Sequence, residues 1–172
     1  MKIRLLRHTV LLLLLVATAA VVMEAQQGKA HSGMLVVVID PAKPLTLKPA
    51  DLETMPRTTA RVEADGQTVS DEGVLVAELL KRAAAPLGPQ LRGDAVASYV
   101  VTSATDGYRA VFSLAELDPA FTGSQVMVAD KVDGKPLFSY QGPFRIVAPQ
   151  DKAGARSIRM LERIEVVRLP KP

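Results

Sequence analysis

The side chains best suited to chemistry gather late in the chain. Lys152 and Arg156, with Arg145 and Arg159 nearby, are cations on or beside a segment that precedes a strand. Guanidinium and ammonium groups in such a place suit an anion such as a phosphate, because a planar fork of N–H donors matches its oxygens. The bland reading, a solvated basic surface, stands beside it. Asp106-Gly107-Tyr108 either lines a ligand cleft or is a β-turn with the tyrosine packed at its rim. Asp65, Asp71 and Glu72 could act as paired carboxylates. They could equally serve a turn and the start of a helix, where the dipole favours acid groups.

Absences remove other chemistries. The sequence holds no cysteine and no tryptophan, and its two histidines are His8 and His31. Thiolate metal sites, iron–sulfur clusters and cysteine nucleophiles therefore have no residues to build on. A catalytic triad or histidine-rich metal site would rest on His31 alone once the leader is removed. Aromatics make up 4% of the residues, too few for base-stacking platforms.

The leader is the clearest segment. Lys2, Arg4 and Arg7 precede an uncharged apolar stretch from Thr9 to Val22, and Ala25 offers a cleavage position before Gln26. Basic, apolar and small-residue stretches in that order form a secretory signal. The stretch is shorter than the ~20 residues of a spanning helix, so membrane attachment is expected only if the signal is uncleaved. No adjacent arginine pair occurs in it, which points to the general secretory route. The organisation expected is a signal over 1–25, a flexible lead-in over 26–33 and one domain over 34–172. Its expected location is the periplasm or the exterior. The first 25 residues carry three of the 21 basic and one of the 18 acidic side chains, so the remainder is nearly neutral. No nucleic-acid partner is expected from that balance.

The elements that must position these residues are mostly strands. Met34–Ile39 is a β-branched apolar run, and Leu45–Lys48 is a short second strand. Pro49–Glu53 reads as one helical turn. Thr58–Ala64 and Gln67–Val69 flank Asp65-Gly66, a hairpin signal that recurs at Asp106-Gly107 and Asp133-Gly134. Val76, Leu79, Leu80 and Ala83 share one helical face, with Asp71 and Glu72 expected near the helix start and Pro86 after its end. Further strands are expected at Tyr99–Thr102, Tyr108–Ser113, Gln125–Ala129 and Phe144–Ala148. Leu114–Asp118 is a helical turn. Ser157 onward reads as a short helical piece before a last strand over Ile164–Arg168. The class is α+β: a β-rich mixed or antiparallel sheet with one main helix and short helical turns.

An ordered set of segments then resembles the molybdopterin-binding domain of the sulfite-oxidase type. The set is Gly73-Val74 before the Leu-Leu helix, Asp106-Gly107-Tyr108, Phe112–Leu117, Asp133–Leu137, Gly142–Pro149, and Lys152 with Arg156. The resemblance implies that fold and a buried pterin whose molybdenum is held by one cysteine. It would make Lys152, Arg156, Arg145, Asp106 and Tyr108 the cofactor-binding candidates. The implied cysteine falls in the region that here reads Val62-Glu63-Ala64-Asp65-Gly66, where none exists. Export through the general route, as an unfolded chain, also disagrees with a preloaded cofactor. The first expectation is thus a cofactor-less module that binds a small anionic ligand or an envelope protein. The alternatives are an oxidoreductase holding molybdopterin through phosphate contacts, and a structural interaction domain of the envelope. Loss of Lys152 and Arg156 together should weaken phosphate binding and barely change stability.

Overall fold

The computed structural model describes residues 33–170 apart from Asp65. The expected signal and most of the expected lead-in therefore lie outside the described residues. β1 (Leu35–Val38) and β2 (Leu45–Leu47) lead to a short helix α1 (Pro49–Glu53). The hairpin β3 (Arg57–Ala64) and β4 (Gln67–Leu75) runs directly into α2 (Val76–Arg82). β5 (Ser98–Ala104) and β6 (Arg109–Ser113) precede α3 (Leu114–Leu117). β7 (Met127–Val132), β8 (Lys135–Pro136), β9 (Arg145–Val147) and β10 (Leu161–Arg168) complete the order.

The strands form two sheets, where the sequence had pointed to one. The first runs β2-β1-β10-β5-β6, and the second β3-β4-β7-β8 with β9 also paired to β7. The β1–β10 pair is parallel and the other pairs are antiparallel. Asp106-Gly107 and Asp133-Gly134 fall, as expected, between consecutive antiparallel strands, and Gly66 lies between β3 and β4. At the β7–β8 turn both Asp133 (φ 48°) and Gly134 (φ 74°) take the left-handed backbone that such turns require.

One large core is shared by both sheets. Leu35, Val100, Phe112 and Ile164 come from the first sheet, Val74, Val128 and Ile146 from the second, and Leu79 and Leu80 from α2. A second cluster of Ala60, Met127, Ala129 and Val147 covers the opposite face of the second sheet. β7 therefore buries both faces over Met127–Ala129, which explains the apolar run at its start.

Two expectations are corrected. Asp71 and Glu72 are strand residues, four or more positions before α2. The backbone there is committed to ladders with both β3 and β7, so the helix can start only at Val76. The segment from Ser157 is not helical. Ile146 N–H donates to the Ile158 carbonyl and Leu161 N–H to the Phe144 carbonyl, which holds it extended against β9. The helical turn comes earlier, at Gly154–Arg156, and β10 starts at Leu161.

Candidate functional site

At the β5–β6 turn, the Asp106 carboxylate accepts a hydrogen bond from the Tyr108 backbone N–H at 2.9 Å. The Tyr108 hydroxyl donates to the Ala155 carbonyl at 2.8 Å, tethering this turn to the loop after β9. The Tyr108 ring remains 51% exposed. The turn reading and the tethering role are both visible here, with Asp106 serving its own backbone.

Arg156 is the centre of that loop. Its Nε and Nη2 donate to Asp151 at 2.8 and 2.6 Å, and its Nη1 donates to Glu116 at 2.9 Å. The guanidinium also lies 4.5 Å from the centroid of the Phe112 ring. Glu116 in turn closes the capping box of α3 with Ser113. One side chain thus joins the β9–β10 loop, β6 and α3. The hydrogen bond from Arg156 holds the Asp151 carboxyl below the usual carboxylate range, and Asp151 raises Arg156 further into its charged form.

The other candidates lie apart from this knot. Lys152 is exposed on the same loop, and no carboxylate pairs with it among the described residues. Arg145 is on β9 in the second sheet, where Nε donates to Asp71 Oδ1 at 2.9 Å and Nη2 reaches both carboxylate oxygens. Asp71 is fully buried. Burial pushes its carboxyl up, and Arg145 pulls it back. So Asp71 is neither a helix-start acid nor half of a carboxylate pair. It is the inner partner of a buried ion pair, and Arg145 spends its donors on it.

The expectation that Lys152 and Arg156 can be removed at little cost needs revision for Arg156. Its three bonded contacts and ring packing stabilise the fold, so Arg156→Ala should cost about 1–2 kcal/mol, a figure reduced for partial exposure. Lys152→Ala should be near neutral. Because the folded Asp151 carboxyl is depressed, its contribution is present above the unfolded carboxylate pKa and is lost as pH falls through the folded value. Thermal melts from neutral pH to about pH 3 should therefore show a steeper acid loss in the parent than in Arg156→Ala. Parallel curves would contradict that role.

Two features escaped the sequence reading. Phe138 and Tyr140 stack at 5.7 Å with ring planes 10° apart, both more than half exposed, and Arg159 lies 5.7 Å from the Tyr140 centroid. Two aromatics one residue apart between Pro136 and Pro143 were the available signal. A groove of about 680 Å³ also runs between α2 and the turn at Gly88, lined by Ala77, Lys81, Leu87, Pro89 and Pro119. None of the five candidates lines it. Among the described residues no group of three histidine, cysteine or carboxylate side chains is arranged to hold a metal ion.

Comparison with known proteins supplies the context. A family model described as the oxidoreductase molybdopterin binding domain matches residues 27–172. Among solved structures, the sulfane dehydrogenase SoxCD from Paracoccus pantotrophus is similar, with a TM-score of 0.59 and 19% sequence identity. The match covers 79% of this chain and 38% of that one. No curated protein matches.

Proposed function

Since the chain belongs to the oxidoreductase molybdopterin binding domain family, we propose that it is an exported accessory module of that fold, one that binds a partner or small anionic ligand and has no molybdenum centre. The α+β architecture of mixed sheets with few helices is the family's, and the chain spans 38% of the structure it matches. The activity of a full-length enzyme is not carried over with the fold.

The observation that carries this reading is the donor set. A family whose metal is implied to sit on a thiolate is represented here by a sequence without cysteine. The hairpin that would supply it offers Glu63, a hard oxygen donor already accepting a hydrogen bond from Thr68 Oγ1. The residues present do not fit the metal. The basic residues give weak support to a pterin phosphate, because Arg156 and Arg145 already satisfy carboxylates of the chain. Lys152 and Arg159 remain exposed, and no carboxylate pairs with either among the described residues. Export rests on the leader, with a mature start near Gln26. No helix among the described residues is long and apolar enough to cross a membrane. The test is the metal and pterin content of protein purified from its own host, and the expected content is neither.

A further inference from the structure

The second sheet ends in a long strand with one side unpaired. β3 runs for eight residues and pairs only with β4. The other outer strands are shorter, with three residues in β2, five in β6, two in β8 and three in β9. Sheets close an exposed edge with proline, a bulge or a covering element. β3 contains no proline, and its register with β4 is unbroken from Arg57 to Ala64. Thr59, Arg61 and Glu63 are exposed along it.

The ladder shows which backbone groups face outward. Ser70 N–H donates to Asp133 Oδ1 at 2.9 Å, and Asp133 N–H donates to the Ser70 carbonyl at 2.8 Å. Ser70 thus turns its backbone away from β3, and Glu72 and Val74 do the same by alternation. Their partners on β3 are Arg61, Thr59 and Arg57. These three, with Glu63 in the same phase, therefore turn their N–H and C=O groups to the free side. None of those groups has a partner among the described residues.

The sequence of β3 is complementary to itself. When two copies are laid antiparallel about Ala60, residues 57–63 overlap fully. Arg57 then faces Glu63 of the second copy, Thr58 faces Val62, and Thr59 faces Arg61. Opposite charges directly across a ladder are favourable. Centring the pair on Thr59 would set Arg57 against Arg61, and centring it on Arg61 would set two copies of that residue together, both like-charge pairs. On the other face the two Ala60 side chains meet, and Val62 extends the cluster that includes Met127, Ala129 and Val147. An unrelated extended peptide has no reason to match this pattern.

We propose that β3 is the edge through which two copies of this chain pair, antiparallel about Ala60, to form one continuous sheet. The Arg57–Glu63 and Thr59–Arg61 pairs each exchange both backbone hydrogen bonds, which satisfies the outward groups. The pairing is independent of the accessory-module reading, since it uses no residue of the Arg156 loop.

The test is sedimentation velocity of the protein purified from its own host, over about 1–100 μM, where a dimer is expected. Thr59→Pro removes one outward N–H and leaves the β3–β4 ladder intact, because that N–H is not part of it. It should raise the dimer dissociation constant by about tenfold or more, with the melting temperature checked alongside. A second arm uses the absence of cysteine, since Ala60→Cys then introduces a lone thiol. On the axis, in a pair that exchanges no hydrogen bonds, the two Cα atoms lie roughly 4.5 Å apart, within disulfide reach. Air oxidation should convert most of the Ala60→Cys protein to a covalent dimer. Val111→Cys, on the β6 edge and 52% exposed in the parent, should stay largely monomeric. A monomer throughout the range, a dimer unmoved by folded Thr59→Pro, or cross-linking no faster at position 60 than at position 111 would overturn the proposal. A different protein bound along β3 in place of a second copy would also overturn it. If Thr59→Pro does not fold, the cross-link at position 60 decides alone.

Discussion

Gly73→Ala is expected to leave no stable fold. A Cβ at that position would sit 1.9 Å from the Val128 carbonyl oxygen and 2.6 Å from the Ala129 Cα, and both are backbone atoms that cannot rotate away. The close approach belongs to a bulge. Gly73 pairs with Ala129 while Glu72 pairs with Lys131, which leaves Asp130 as an extra residue on β7. The Asp130 carboxylate is then taken by Arg57 of β3, with contacts at 2.6 and 3.1 Å. One methyl group would therefore separate β4 from β7, open the bulge and release the Arg57 clamp. It would also disturb the entry to α2, whose first N–H, on Val76, donates to the Val126 carbonyl. The loss should exceed about 4 kcal/mol, a size reserved for such backbone conflicts. Urea unfolding followed by circular dichroism measures it. A loss below about 1.5 kcal/mol would mean that the strands separate easily, against the packing described.

The second large effect is at the buried ion pair. Asp71→Ala should cost about 3–5 kcal/mol, because it leaves the Arg145 guanidinium without its partner inside the second sheet. Arg145→Ala should cost a similar amount, by stranding a fully buried carboxylate. The double replacement Asp71→Leu with Arg145→Met should recover most of the loss, since a packed apolar pair avoids the desolvation of two charges. A double-mutant cycle by denaturant unfolding gives the coupling directly. If Arg145 instead served a bound anion, Arg145→Ala would leave stability unchanged and weaken phosphate binding.

Local patterns were legible in the sequence where neighbours in the chain decide the outcome. The Asp-Gly turns needed only their own backbone preferences, and α2 showed its buried face through Val76, Leu79 and Leu80. The main errors came from partners far along the chain. Asp71 looked like a helix-start acid because the arginine that claims it is 74 residues away. Arg156 looked like free surface charge because Glu116, 40 residues earlier, is brought to it only by β6 and α3. The division into two sheets was hidden for a related reason. A β-branched run announces a strand and leaves its neighbours unstated, and nothing local placed β10 between β1 and β5. Segment order along the chain was the stronger guide, and it supported the fold over residues where each motif alone was weak.

The central claim is that this family member works without a molybdenum centre. The most direct measurement is the number of molybdenum atoms per chain in protein purified from its native host, with sulfite and sulfoxide turnover assayed on the same sample. The expected result is molybdenum far below one atom per chain and turnover at background, because the sequence contains no thiol to ligate the metal. About one atom per chain with turnover above background would contradict the account. It would show that oxygen donors and phosphate contacts suffice to hold a working centre in this fold.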